Sequence, residues 1–186
     1  MTKICMIMAI GPNNVIGKGK ELAWHSKNDF YHFVQQTKGW PCIFGATTFY
    51  NLPKYPLKNR LNIVLDIESE GTGIVKNEKG SWIVTNSIYD ALELVKNYDK
   101  IFICGGKSIY TYCLEHNLID EIYLTKISDP TYKFEEEIQK HSQDFVYFPI
   151  DLDSYTKNWE KEVIEYNQGL VPENYACTFL KFIKKS

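Results

Sequence analysis

Lys100-Ile101-Phe102-Ile103-Cys104-Gly105-Gly106-Lys107-Ser108-Ile109-Tyr110 is the stretch that decides the fold class. Its first five residues form an apolar run of strand length, the glycine pair breaks it, and Ile109, Tyr110, Cys113 and Leu114 then recur at helical spacing. A strand that turns straight into a helix is the building unit of an α/β domain. The same alternation extends to both sides. Strands are expected at residues 3–10, 41–45, 61–66, 82–85 and 121–127, with helices at 26–38, closed by Gly39, and at 87–97, where Ile88, Ala91, Leu92 and Val95 share a face. Residues 161–166 and 175–183 read as a closing antiparallel pair. The turn-rich stretch after the first strand, Gly11-Pro12-Asn13-Asn14 and then Gly17-Lys18-Gly19-Lys20, reads as a long loop of the kind that carries function, and residues 68–80 as a second loop. Residues 128–143 are polar, with Phe134, Ile138 and His141 at helical spacing, and read as a surface insertion with a short helix. Without repeats or a low-complexity linker, the expectation is one domain over residues 1–186.

Twenty-one basic against 23 acidic side chains leave a net charge of −2, too balanced for a sequence-blind nucleic-acid binder or a polybasic membrane patch. The early apolar run at residues 4–10 is far short of the roughly 20 residues that span a bilayer. The N-terminus lacks the apolar core of a signal peptide, so a cytoplasmic protein is expected. Of five cysteines, Cys5, Cys42 and Cys104 lie inside strand-like runs and read as reduced core thiols. His25, His32, His116 and His141 are scattered and no C-x-x-C occurs, so no metal is expected.

Three features carry possible chemistry. Gly105-Gly106-Lys107-Ser108 suggests a phosphate loop, but that motif needs a further glycine where Ile101 stands. What survives is a close backbone approach at a helix N-terminus, suited to a pyrophosphate, or equally a tight turn without a ligand. Asp29 lies on the Phe30, Phe33 and Val34 side of its helix, where a carboxylate needs a partner; yet Ser26-Lys27-Asn28-Asp29 fits a capping box, and on spacing alone the cap is the better reading. Arg60 is the sole arginine beside 20 lysines, consistent with bidentate carboxylate recognition or with chance.

Taken together these pieces resemble the dihydrofolate reductase family. The matching residues are Ile7 to Ala9, Val15-Ile16-Gly17, Leu22-x-Trp24, Asp29-Phe30-x-x-Phe33, Gly45-x-x-Thr48-Phe49, Leu57-x-x-Arg60-x-Asn62-Ile63-Val64-Leu65, Cys104-Gly105-Gly106 before Ile109-Tyr110, and Tyr123-Leu124-Thr125-x-Ile127. Eight short motifs keep their order from residue 3 to about 127, and the last strands match more weakly. The resemblance implies a mixed, mainly parallel eight-stranded sheet flanked by helices, with cofactor and substrate meeting at the carboxyl ends of the strands. It implies hydride transfer from NADPH, with NADH as an alternative donor, to C6 of dihydrofolate and protonation at N5. Asp29, Trp24, Thr125 and Leu22 would then be catalytic. Ile7, Met8, Ala9, Phe30, Phe33, Leu52, Leu57, Arg60, Cys104 and Tyr110 would contact substrate, with Arg60 on the glutamate α-carboxylate. Ala9, Ile16, Gly17, Gly45, Ala46, Thr47, Thr48, Leu65, Asp66, Gly105, Gly106, Lys107, Ser108, Ile109 and Tyr110 would hold the dinucleotide, with the Gly105-Gly106 bond cis. A monomer that binds antifolate inhibitors is expected, without nucleic-acid or membrane partners.

The chain departs from the family pattern at Ala23 and Lys27, where prolines are usual, at Asn51, and at Ala46, where a basic residue is usual. Asp144 is the nearest match to an acidic residue before Phe148-Pro149. Two competing readings are a same-fold reductase of a pyrimidine intermediate in flavin synthesis and a non-catalytic nucleotide binder. The first would not need Asp29, Phe30, Phe33 and Arg60 together, and the second lacks a reactive lysine or a metal-binding acid.

Overall fold

Runs of β-branched and aromatic residues form the central strands because both of their faces are buried, so no polar alternation is required there. The computed structural model describes residues 1–166 and 170–185. In chain order the elements are β1 (Lys3–Ile10), β2 (Val15–Lys18), α1 (Lys27–Thr37), β3 (Cys42–Gly45), α2 (Ala46–Tyr50), β4 (Asn62–Leu65), β5 (Gly73–Asn77), β6 (Gly80–Thr85) and α3 (Ile88–Leu94). There follow β7 (Lys100–Ile103), α4 (Lys107–Glu115), β8 (Glu121–Ser128), α5 (Lys133–Lys140), β9 (Phe145–Tyr147), α6 (Leu152–Tyr155), β10 (Glu160–Val163) and β11 (Ala176–Ile183). Within the span expected as one domain the chain forms two compact units, residues 1–6 with 37–120 and residues 7–36 with 121–186.

In the first unit the strand order is β1-β7-β3-β4-β6-β5, parallel throughout except for the β5–β6 hairpin. Ile43 faces Ile103 on one side and Ile63 on the other, and all three are fully buried. In the second unit the order is β10-β11-β8-β1, with β11 antiparallel to both neighbours and Phe179 opposite Thr125. Together these make nine strands among the described residues, one more than expected, because β5 lies in the stretch read as loop at 68–80. All five of its residues are exposed, so it carries no burial pattern to betray a strand.

Two further readings are corrected in the second unit. The long loop after β1 contains β2, which pairs antiparallel with β9, so Ile16 and Gly17 stand on a short ladder instead of in a free loop. The left-handed Asn13 and Asn14, a conformation that asparagine tolerates, turn the chain into it. Residues 128–143 are not a surface appendage. Asp129 Oδ1 accepts the Thr131 N–H at 2.8 Å and Oδ2 the Phe134 N–H at 3.0 Å. So stapled, α5 buries Phe134 and Ile138 in a core with Val15, Trp24, Ile127 and Phe145, while His141 stays exposed. No helix among the described residues is long and apolar enough to cross a membrane.

Candidate active site

Asp29 stands in the first turn of α1, and its backbone and side chain have separate partners. Ser26 Oγ accepts the Asp29 N–H at 3.0 Å and the Ser26 carbonyl accepts the Phe30 N–H at 3.1 Å, so Ser26 caps the helix as its spacing predicts. The Asp29 carboxylate, however, receives the hydroxyl of Thr125, which is 1% exposed on β8. Burial is the largest influence and raises the Asp29 pKa above the ordinary carboxylate value; Thr125 and the Trp24 indole pull it back, and the charge of Glu173 pushes it further up. Trp24 is itself buried, packed edge-on against Phe134 at 6.2 Å, and its Nε1 has no hydrogen-bond partner among the described residues. A buried N–H whose dipole reaches a carboxylate without bonding it directly is placed to hold a bridging water or a ligand atom.

Other expected residues of this unit take different stations. Ala9 packs against the Trp24 core, and Ile7 and Met8 are buried on the same strand. Ile16 and Phe33 are half-buried and Gly17 is buried. Leu22 and Phe30 project into solvent, at 56% and 64% exposure.

In the first unit two strand-to-helix turns meet at their glycines. Gly45, ending β3, donates its N–H to the Gly105 carbonyl at 2.7 Å, and the Gly105-Gly106 bond is cis, as the resemblance implies. Gly105 has φ of 114°, a region closed to ordinary side chains, and a Cβ on Gly106 would come within 2.7 Å of Thr48 Oγ1. Ile109 packs 3.2 Å from the position a Cβ on Gly45 would take, and Tyr110 closes the other side of Gly105. α4 starts after Gly106 with no side-chain cap, so the dipole and first-turn amides at Lys107, Ser108 and Ile109 suit an anionic group. A cradle of bare backbone that a Cβ would fill fits the pyrophosphate of a dinucleotide. Thr47, Lys107 and Ser108 are exposed, while Ala46 is half-buried.

The turn between α2 and β4 is clamped by Asn62, a buried residue that sequence reasoning quoted without a role. Its Oδ1 accepts the Leu57 N–H at 2.9 Å, and its Nδ2 donates to the carbonyls of Leu57 at 2.9 Å and Arg60 at 3.0 Å. Arg60 is fixed in turn: Nε donates to Thr37 Oγ1 at 3.0 Å and Nη1 to the Lys58 carbonyl at 2.9 Å. Leu52 and Leu57 are half-buried, and Cys104 and Tyr110 are buried, with burial raising the Cys104 thiol pKa well above its ordinary value. Past the half-buried Leu65, Asp66 Oδ1 accepts the Glu68 N–H at 3.1 Å. An open groove of about 510 Å³ runs beside it, lined by Tyr50, Asp66, Ser69, Glu70 and the glycine-rich backbone at 71–73. Among the described residues no group of three or more His, Cys, Asp and Glu side chains is arranged to hold a metal ion.

A buried carboxylate beside a threonine hydroxyl and, separately, a bare-backbone turn that fits a pyrophosphate are each features that a nucleotide-dependent oxidoreductase requires. Residues 3–184 match the family model of dihydrofolate reductase. The chain is 31% identical over 180 residues to the dihydrofolate reductase of Haemophilus influenzae, covering 97% of this chain and 98% of that one. It is 30% identical over 185 residues to the dihydrofolate reductase of Bacillus subtilis, covering 98% and 95%. A solved structure, dihydrofolate reductase from Enterococcus faecalis complexed with NADP(H) and RAB-propyl, shares the fold with a TM-score of 0.71 at 24% identity, covering 99% of this chain and 97% of that one. The chain belongs to the dihydrofolate reductase family, whose members are NADPH-dependent oxidoreductases.

Proposed function

We propose that this chain reduces 7,8-dihydrofolate to 5,6,7,8-tetrahydrofolate. The observation that carries the reading is the Asp29 carboxylate, bonded by Thr125 beside the Trp24 N–H, which has no partner among the described residues. A pterin presents a ring nitrogen and an exocyclic amine side by side, and one carboxylate accepts both in a bidentate pair. Thr125 fixes the rotation of that carboxylate. Its raised proton affinity lets Asp29 assist the protonation of N5 through a water held by Trp24. NADPH, when bound, supplies the hydride that C6 receives. Gly45, Gly105, Gly106 and the first turn of α4 would hold its pyrophosphate, and Ala9, Ile16 and Gly17 its nicotinamide end. The stretch bearing the exposed Leu22 would close over that ring, and Phe30, Phe33, Leu52 and Leu57 would wall the aminobenzoate slot. Antifolates would compete for the same carboxylate, and the protein would act as a cytoplasmic monomer. The test is loss of reduced-nicotinamide absorbance on adding dihydrofolate; no dihydrofolate-dependent loss overturns the reading.

Arg60 would hold the glutamate α-carboxylate of the substrate. Arg60→Lys keeps the charge but loses the planar fork, so KM for dihydrofolate should rise by a factor equivalent to about 1.5–3 kcal/mol. A pterin substrate without the glutamate is the control. Equal losses on both substrates would mean that Arg60 is structural.

Cofactor choice follows from charge. The neutral Ala46, together with Asp66 and Glu70 at the groove, disfavours a phosphate on the adenosine ribose, whereas carboxylates can accept hydrogen bonds from a free 2′-hydroxyl. Preference for NADPH over NADH should therefore stay within roughly 10–100-fold, and Ala46→Arg with Asp66→Ser should widen it about tenfold. A specificity-constant ratio near a thousandfold in the unaltered protein would refute this assignment of Asp66.

A further inference from the structure

Trp24 Nε1 is buried without a hydrogen-bond partner among the described residues, so the orientation of its indole is set by packing. Two neighbours close on the ring. Phe134 meets it edge-on, with the centroids 6.2 Å apart and the planes at 89°. Gly11, just past β1, comes against the benzo edge, the side of the indole away from Nε1: a Cβ there would lie 3.1 Å from Cζ3 and 3.6 Å from Cε3, and also 3.1 Å from Cε1 of Phe134. The two approaches at 3.1 Å are tighter than side-chain carbons ordinarily make. The Gly11 backbone, at φ −98° and ψ −171°, is extended and open to any residue, so glycine serves there for room alone. Phe134 is fixed in turn. Asp129 Oδ2 accepts its N–H at 3.0 Å, and its ring stands edge-on to Phe145 at 5.9 Å and to Tyr175 at 6.1 Å.

We propose that Gly11 and Phe134 are positioning residues for Trp24: the bare backbone of one and the fixed ring of the other hold the indole in one place, so that its Nε1–H keeps a constant bearing on the Asp29 side chain. The proposal rests on the reading of Trp24 and Asp29 as the pair that assists protonation of the substrate. A hydrogen bond weakens steeply with misdirection, and an N–H held only by packing has no bond of its own to restore its aim. The shape of the pocket around the ring therefore sets the geometry of proton delivery. The groups facing Asp29 are the Thr125 hydroxyl from β8, the Trp24 indole, the charge of Glu173 and, from β11, the Cys177 thiol, whose Sγ is 3.4 Å from Ser26 Oγ. Neither Gly11 nor Phe134 carries a titratable group, so replacing them alters none of these directly.

The test reads the Trp24 Nε1–H by NMR, assigned by its loss in Trp24→Phe, beside the pH profile of turnover with dihydrofolate. Gly11→Ala adds one methyl group to a backbone that accepts it, so the rings must give by a few tenths of an ångström. The Trp24 N–H signal should shift, and turnover at pH 7 should fall roughly three- to tenfold, a fraction of the cost of a full ångström of misplacement. At acid pH, where substrate arrives already protonated, the variant and the unaltered protein should converge. Phe134→Leu keeps an apolar side chain and removes the ring edge, so the Trp24 N–H should exchange faster with solvent and the same pH-dependent deficit should appear. An unshifted N–H signal in Gly11→Ala, or unchanged turnover at pH 7, overturns the proposal. So does a deficit equal at every pH, which would mark both residues as core packing alone. Failure of the underlying reading looks different: Trp24→Phe and Asp29→Asn would then keep their turnover at pH 7, whatever Gly11→Ala does to the N–H signal.

Discussion

Asp29→Asn should lower turnover at pH 7 by roughly 10²–10⁴-fold, the range that a positioned acid or base contributes, and regain part of it at acid pH, where substrate arrives already protonated. The same substitution should make the free protein more stable at neutral pH. Burial, the main cause, raises the folded-state pKa of Asp29 above the value of 3.8 that the unfolded chain has. Folding therefore disfavours its ionised form, a cost that grows as pH rises from 3.8 through the folded value and is absent below 3.8. Asparagine does not ionise, keeps an oxygen for the Thr125 hydroxyl, and leaves the Ser26 cap intact because that bond is to backbone. Thermal melts across pH and steady-state rates check both halves. Near-normal activity at pH 7 with unchanged stability would return Asp29 to the role of a helix-start residue.

His32 gives the second large effect, on stability. The ring is 1% exposed, stacks on Phe179 at 4.6 Å, and is 2.6 Å through Nδ1 from the Tyr166 hydroxyl. Gln36 donates to that hydroxyl at 3.3 Å, which leaves the hydroxyl hydrogen for His32 Nδ1, an arrangement that needs a neutral ring. Burial pushes its pKa from 6.5 to about 4. Between these values the unfolded chain binds a proton that the folded chain refuses, so stability is full above pH 6.5 and is lost as pH falls toward 4. The loss amounts to about 3 kcal/mol by the bottom of that window. Urea unfolding at stepped pH should show this slope in the unaltered protein and lose it in His32→Gln. Parallel curves for the two proteins would show that His32 charges in the folded state.

The strands and their partners were legible in sequence to different degrees, for one reason. β3, β4 and β7 could be read because a strand buried on both faces is mostly apolar, and Cys42, Ile43, Phe44, Ile63, Val64 and Ile103 record that. β5 could not, since five exposed residues at a sheet edge are free to be anything. β2 and β9 each have three or four residues, and their ladder joins segments that no local pattern connects. α5 was read as surface from its charges, yet two apolar residues, Phe134 and Ile138, suffice to seat it.

Gly105-Gly106 read from sequence equally as a close backbone approach or as a tight turn, and it took the tertiary contacts of Gly45 with Gly105 and of Gly106 with Thr48 to show that a side chain there would have no room. The grouping of Asp29, Trp24 and Thr125 came from the resemblance to the family, whereas spacing alone favoured a cap for Asp29. What each group does was decided by tertiary structure. Ser26-x-x-Asp29 is a cap by spacing, and the Ser26 hydroxyl does cap, but the carboxylate lies against Thr125, and Glu173, 145 residues from the amide it accepts, holds the Asn28 N–H. Phe30 and Phe33 flank Asp29 on a helical wheel, yet Phe30 faces solvent, since what lies opposite a helix face is not encoded in the helix. Proton affinity depends on the water removed and the charges brought near, and only the folded chain fixes both.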